Sequence, residues 1–304
     1  MWQTEHVAAL LKKRDPTLNV EIVPIVTLGD QVTDKPLSEL GGTAVFTKEI
    51  ESALLDDTCD IGVHSLKDLA TTMPKGLTLA AYLPREDPRD VFISRDGTSL
   101  KDLPVGATVG TSSLRRIAMV RHFRPDLRLI PLRGNVPTRI GALGKDVPDA
   151  RPYSGPFLDG TIMAAAGLKR LALKSHITDY LPMALFAPAP GQGVIALQTR
   201  SDKADICEIA KQFECRRTRD AAVAERTFLN VVEGGCRLPI GAFSILSDTG
   251  VELTGVILSE DGQTVVKGRL DGNNPEDVGK SLAEQLLSKG GKRILNELNQ
   301  KLAT

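Results

Sequence analysis

Over most of its length the chain alternates short β-branched runs with stretches of helical periodicity, and that alternation restricts the fold more than any other feature. Runs at Asn19–Val26, Asp60–Val63 and Leu77–Tyr82 read as strands. The helical pattern around them puts Val7, Leu10 and Leu11 on one face and Ile50, Ala53 and Leu54 on another. A second set follows, with strands near Asp90–Ile93, Thr108–Gly110, Leu127–Leu132 and Thr161–Ala164 and helices starting near Ser112 and Val136. Such alternation predicts βαβ units and parallel sheets, here as two α/β domains with a cleft between them. The last ninety or so residues change character. A helix over Asp220–Val232 ends at Gly234, a residue suited to the left-handed C′ position. Strand-like runs at Ile240–Leu246, Val251–Leu258 and Thr264–Leu270 are separated by turn residues, and helices follow over Asp277–Leu287 and from Lys292. This predicts a small α+β domain with an antiparallel sheet. The expected division is residues 1–84 with 192–212, then 85–191, then 213–304. The stretch 144–160, dense in Pro, Gly and Asp, reads as a surface loop.

Composition narrows the function. The 304 residues carry 38 Lys plus Arg against 38 Asp plus Glu, so the net charge is zero. That balance argues against nucleic acid or an acidic membrane as a partner of the whole surface. No apolar run is long enough to span a bilayer, and the N-terminus lacks a basic-then-apolar signal pattern. The four cysteines, Cys59, Cys207, Cys215 and Cys236, have no metal-ligand spacing and are too sparse for a disulfide framework. A cytoplasmic protein without a metal is the expectation.

Chemistry concentrates where predicted strands end, the edge at which open α/β sheets bind ligands. His64-Ser65-Leu66-Lys67-Asp68 follows one strand, and its Ser65-x-x-Asp68 spacing equally suits a helix capping box. Gly110-Thr111-Ser112-Ser113-Leu114-Arg115-Arg116 is a strand, a small polar turn and a helix start, a natural anion pocket of free N–H groups. Two arginines in a first helical turn oppose the helix dipole at roughly 0.3–1 kcal/mol each, which a bound polyanion would offset; solvated arginines are the alternative. Arg133 and Arg139 in Arg133-Gly134-Asn135-Val136-Pro137-Thr138-Arg139, and Arg170 after Ala166-Gly167-Leu168-Lys169, bring further cations to the same rim. Their planar forks suit bidentate carboxylate binding. Gln192 lies in Pro188-Ala189-Pro190-Gly191-Gln192-Gly193, either a ligand-facing turn or a domain-crossing hinge. Cys236 follows two glycines just past a helix, accessible but without a neighbouring base, which suits covalent anchoring better than turnover.

Taken in order, VTLGD, DIGVHSLKDL, PREDPRDVF, VGTSSLRR, LRGNVPTR, AAGLKRL, PAPGQG and AERTFLNVVEGGC resemble the porphobilinogen deaminase family along nearly the whole chain. The resemblance implies two periplasmic-binding-protein-like α/β domains joined by crossing hinges, plus a third domain carrying the cysteine. It implies a dipyrromethane cofactor held by Cys236 through a thioether, and porphobilinogen as substrate. Asp68 would be the catalytic carboxylate, stabilising positive charge as ammonia leaves. Ser65, Lys67, Thr111, Ser112, Ser113, Arg115, Arg116, Arg133 and Gln192 would hold the cofactor, and Arg139 and Arg170 the substrate. Four condensations and a final hydrolysis would release hydroxymethylbilane, making the chain a transferase of tetrapyrrole and heme biosynthesis, expected to be monomeric.

Departures from the family pattern set the rival readings. Members usually begin with R-[IV]-[GA]-T-R-x-S-x-L-A, which supplies an arginine and a serine, whereas this chain opens at Met1-Trp2-Gln3 directly into a helical pattern. That predicts a first sheet lacking its leading strand, with lower stability and activity. Gly41-Gly42 precede Thr43 where lysine is usual, and the 144–160 loop resembles eukaryotic members. The rivals are an impaired or truncated paralogue and a non-enzymatic two-domain binding protein for a polycarboxylate.

Overall fold

The computed structural model describes residues 1–27, 47–232, 238–248 and 250–303, with side chains as far as residue 300. Three sheets organise these residues, the second and third sharing an apolar core. The first has the order β1-β8-β2, from β1 (Gly62–Ser65), β2 (Leu77–Tyr82) and β8 (Ile195–Arg200). The central β8 runs antiparallel to both neighbours, pairing Ser65 with Ile195 and Tyr82 with Ala196. Alternation along β8 serves two faces. Ile195 and Leu197 meet Val7 and Leu11 of helix α1 (Trp2–Arg14), while Ala196 meets Leu66, Leu69 and Ala222. Helix α1 starts at Met1 with no side-chain cap. Helix α2 (Lys48–Leu55) buries Leu54 completely.

The second sheet has the order β5-β4-β6-β3-β7. Its strands are β3 (Asp90–Ser94), β4 (Thr108–Gly110), β5 (Arg128–Ile130), β6 (Gly160–Ala164) and β7 (Asp179–Tyr180). Helices α3 (Leu114–Phe123), α4 (Val136–Gly141) and α5 (Ala165–Arg170) connect and cover it. Strand β3 is buried at every position: Val91 and Ile93 face one core, Phe92 the other. Beyond it, α6 (Ala204–Lys211) and the long α7 (Arg216–Val231) lead to a third, antiparallel sheet. It is built from β9 (Ile240–Ser247), β10 (Gly250–Leu258) and β11 (Val265–Gly272) and backed by α8 (Pro275–Leu286) and α9 (Lys292–Ala303).

Glu225 of α7 ties these parts together. Its fully buried carboxylate accepts hydrogen bonds from Arg85 Nη1 at 2.6 Å, from the Gly191 N–H at 2.7 Å and from the Ser244 N–H at 2.8 Å. The neighbouring Arg226 donates to the carbonyls of Leu69 and Ala70, just past the His64–Asp68 segment.

Two expectations are corrected. Asn19–Val26 forms no strand, because no ladder partner lies beside it among the described residues; Leu18 and Val20 still pack on the first core. Among the described residues the first sheet is antiparallel and the second mixed, rather than both parallel. The parallel pairs there are β4–β5 and β4–β6, because β8 returns to the first sheet and β3 lies antiparallel to β6.

Candidate active site

Strand β1 hands its last residues to the site. Ser65 does not cap the 3-10 turn Leu66–Asp68 that follows it. Its Oγ instead accepts a hydrogen bond from Gln3 Nε2 at 2.7 Å, so the capping-box alternative fails. In the turn, burial pushes the Asp68 carboxyl above its ordinary value, against the pull of Lys67, Arg139 and Arg116. Burial also lowers the Lys67 ammonium, which Asp68 partly counters. Lys67 Nζ lies 3.5 Å from Gln192 Oε1. A carboxyl moved toward neutrality inside a cationic surround is suited to taking up and returning a proton.

The arginine pair at the start of α3 divides its work. Both residues are 5% exposed, which overturns the solvated-arginine reading. Arg115 Nη1 donates to Asp90 Oδ2 at 2.7 Å and to the Ala187 carbonyl at 2.6 Å, and it does not line the cavity described below. Arg116 donates from Nη2 to Asp90 Oδ1 at 2.8 Å and from Nη1 to the Ile162 carbonyl at 3.1 Å, while its buried Nε has no partner. Burial alone would raise the Asp90 carboxyl, but the two guanidinium groups hold it far below the usual carboxylate range.

Thr111, Ser112 and Ser113, expected at the ligand, make local hydrogen bonds. The Thr111 N–H donates to the Ile130 carbonyl, Ser112 Oγ donates to the Leu132 carbonyl at 3.1 Å, and Ser113 is the N-cap of α3. None of the three lines the cavity. A short polar turn between a strand and a helix uses its hydroxyls to join the two.

Arg139 projects from α4, whose N-cap is Asn135. Its Nε donates to the Gly134 carbonyl at 2.8 Å, and burial, then Arg116 and Arg133, bring its guanidinium down to about 10. Arg133 is thus within electrostatic reach of Arg139 but is not in the cavity wall. Arg170 of α5 donates to the Gly193 carbonyl at 2.8 Å and lies 5.9 Å from the centre of the Trp2 ring. Gln192, 1% exposed, donates from Nε2 to the Pro88 carbonyl at 2.7 Å and to Asp90 Oδ1 at 2.9 Å. The turn therefore both faces the cavity and crosses between the first two sheets.

These elements enclose a cavity of about 220 Å³ whose cationic walls are Lys67, Arg116, Arg139 and Arg170, with Gln3, Ser65 and Gln192 beside them. Cations from both sheets thus converge near the half-buried Asp68 carboxyl, which feels Lys67, Arg139 and Arg116 but is not itself in the cavity wall, an arrangement able to hold a ligand with several carboxylates. Sequence reasoning missed Gln3, a polar residue in the first turn of a helix read only for its apolar face. It also missed Asp90, whose signal is a lone acid opening an otherwise apolar strand. Cys236 and the Gly41-Gly42-Thr43 departure lie outside the described residues.

His64 faces away from this cavity, 4% exposed, with Nε2 unpartnered. Burial lowers its imidazole from 6.5 to about 4, against a hydrogen bond with Gln198. The unfolded chain therefore binds the proton first, and stability falls as pH drops from 6.5 toward 4, by about 3 kcal/mol in all. Urea titrations across that range should show this slope, and His64→Gln should flatten it; an unaltered slope would assign the effect to other groups.

Comparison with known proteins agrees with this geometry. The family model described as "Porphobilinogen deaminase, dipyromethane cofactor binding domain" matches residues 1–208, and "Porphobilinogen deaminase, C-terminal domain" matches residues 220–288. A porphobilinogen deaminase of Carboxydothermus hydrogenoformans is 46% identical over 302 residues, covering 99% of this chain and 94% of the relative. Those of Syntrophomonas wolfei and Geobacter sulfurreducens are 46% and 45% identical, covering 98% and 99% of this chain and 94% and 92% of theirs. With the family model matching well over half of its length and relatives of this similarity spanning nearly all of it, the chain belongs to the porphobilinogen deaminase family.

Proposed function

We propose that the chain is a hydroxymethylbilane synthase, a transferase that deaminates four porphobilinogen molecules, condenses them head to tail on a covalent dipyrromethane and releases the linear product by hydrolysis. The observation that carries this is the convergence of Lys67, Arg116, Arg139 and Arg170 on one cavity, three of them also acting on the Asp68 carboxyl. The residues fit a dipyrromethane, whose rings bear acidic side chains. The cationic walls supply counter-charges, and the partnerless buried Nε of Arg116 is a donor awaiting an acceptor. When bound, the dipyrromethane supplies the free α-carbon to which each new pyrrole is joined.

The protein's own residues then have distinct tasks. Arg116 and Lys67 pair with cofactor carboxylates and Arg139 and Arg170 with those of the incoming substrate, so that reacting carbons meet in fixed orientation. Ser65, Gln3 and Gln192 add neutral hydrogen bonds that distinguish a carboxylate's direction. Asp68 stabilises the positive charge that develops on the pyrrole as ammonia leaves, and its raised affinity for a proton suits it to accept the α-hydrogen afterwards. Arg115 and Arg133 support the site from behind its wall. Among the described residues no group of His, Cys, Asp or Glu is placed to hold a metal ion. No helix there is long and apolar enough to cross a membrane. A monomer in the cytoplasm, divided at residues 84, 191 and 212, completes the proposal.

Cys236 is the proposed anchor, the one cysteine in the family's glycine-flanked motif. Peptide mapping of purified holoenzyme should place the dipyrromethane mass on Cys236 and leave Cys59, Cys207 and Cys215 unmodified. An adduct on any of those three, or porphobilinogen consumption by Cys236→Ser at the parent rate, would overturn it.

A further inference from the structure

We infer that Asp90 is a positioning residue that sets the geometry of both walls of the cavity while touching no ligand itself. The inference rests on the reading of that cavity as the pyrrole-carboxylate site. Asp90 opens β3, fully buried, with its backbone fixed by pairing to Ala164 and by its carbonyl accepting from the Leu181 N–H. Its two oxygens are taken up by protein donors. Oδ2 holds Arg115, and Oδ1 accepts from both Arg116 Nη2 and Gln192 Nε2. It is absent from the cavity wall, so its influence passes through those partners.

The consequences run in two directions. On the α3 side, Asp90 and the Ile162 carbonyl together occupy Nη2 and Nη1 of Arg116. That fixes the plane of the fork and leaves Nε as the donor without a protein partner. On the other side, holding Gln192 by its amide nitrogen turns Oε1 toward Lys67 Nζ, 3.5 Å away, next to Asp68. One carboxylate thus orients an arginine of the second sheet and, through Gln192, the lysine beside the catalytic carboxyl of the first. It also separates two consecutive buried guanidinium groups that would otherwise repel each other.

A role limited to neutralising Arg115 and Arg116 would need the charge but not its position. Asp90→Glu separates the possibilities, since it keeps the charge and moves it by one methylene. The measurements are Tm, the cofactor-loaded fraction by intact mass, and kcat and KM for porphobilinogen on that fraction, for Asp90→Glu, Asp90→Asn and Arg116→Lys, with the double variant Asp90→Glu/Arg116→Lys. Because Arg116 and Lys67 hold the cofactor and Arg139 and Arg170 the substrate, positioning predicts a kcat lowered by about tenfold in Asp90→Glu even where Tm stays near the parent, with KM changed less. It also predicts that Asp90→Glu adds little to the loss once Arg116 is lysine. Parent kcat and parent cofactor loading in both Asp90 variants, whatever their Tm, overturn the inference, as does a fully multiplicative double variant. A lowered kcat or loading in Arg116→Lys beside parent values in Asp90→Glu overturns the inference alone. Parent kcat and loading in Arg116→Lys overturn the reading of the cavity and the inference with it.

Discussion

Asp68→Asn should fold, hold its cofactor and lose about 10²–10³-fold in kcat, the cost typical of removing one preorganised charge from a transition state. The amide is nearly isosteric, so packing around the 3-10 turn is kept. What disappears is a carboxylate held among Lys67, Arg139 and Arg116 in a desolvated pocket, where an electrostatic contribution is larger than in water. Because burial raises this carboxyl, the acid limb of kcat in the parent should inflect above the ordinary aspartate range of about 4. The limb should vanish in Asp68→Asn. Stopped-assay turnover across pH, with intact mass to verify the cofactor, decides the matter. Near-parent kcat in the asparagine variant would reduce Asp68 to a packing residue.

The second large effect is expected on stability. Glu225→Ala removes the acceptor for Arg85 and for the N–H groups of Gly191 and Ser244, all in the interior between the sheets. Breaking a buried ion pair from one side costs about 3–5 kcal/mol, because the remaining charge and donors stay desolvated. For a chain of this size that is a drop in Tm of about 10 °C. Glu225→Gln should lose less, since it can still accept from one N–H. Scanning calorimetry of both variants checks the order, and equal Tm in Glu225→Ala and the parent would show that water replaces the carboxylate freely.

How far the site could be read from sequence depended on the kind of signal. Local patterns carried the strand ends with their His64–Asp68, Arg133–Arg139 and Arg170 segments, because cations clustered at predicted strand termini are visible within a few residues. The division of labour between Arg115 and Arg116 was not visible. Successive residues on a helix point about 100° apart, and of the two Arg116 lines the cavity. The carboxylate that both share, Asp90, lies some 25 positions earlier in the chain. Strand β8 escaped notice because Gln198 and Thr199 interrupt its apolar run, yet both are fully buried, Gln198 donating to Glu51. Asn19–Val26 erred the other way. Its β-branched composition suits a strand, but composition cannot supply the neighbour that a ladder requires.

One apolar core crosses from the second sheet to the third. Phe92, Met119 and Phe186 pack in the same cluster as Phe243, Val256 and Leu258, so the boundary between the two matched family segments near residues 208–220 is not a boundary in packing. The turn between β10 and β11 seals the contact. Gly262 lies so close to α3 that a methyl group there would fall within 2.6 Å of the Ala118 carbonyl oxygen, while His122 and Arg121 bond the Gly262 and Glu260 carbonyls. The described residues of the third sheet are therefore anchored on the second rather than forming a detachable unit. Limited proteolysis should release no folded C-terminal fragment, and amide protons of α3 and β10 should exchange through the same opening event.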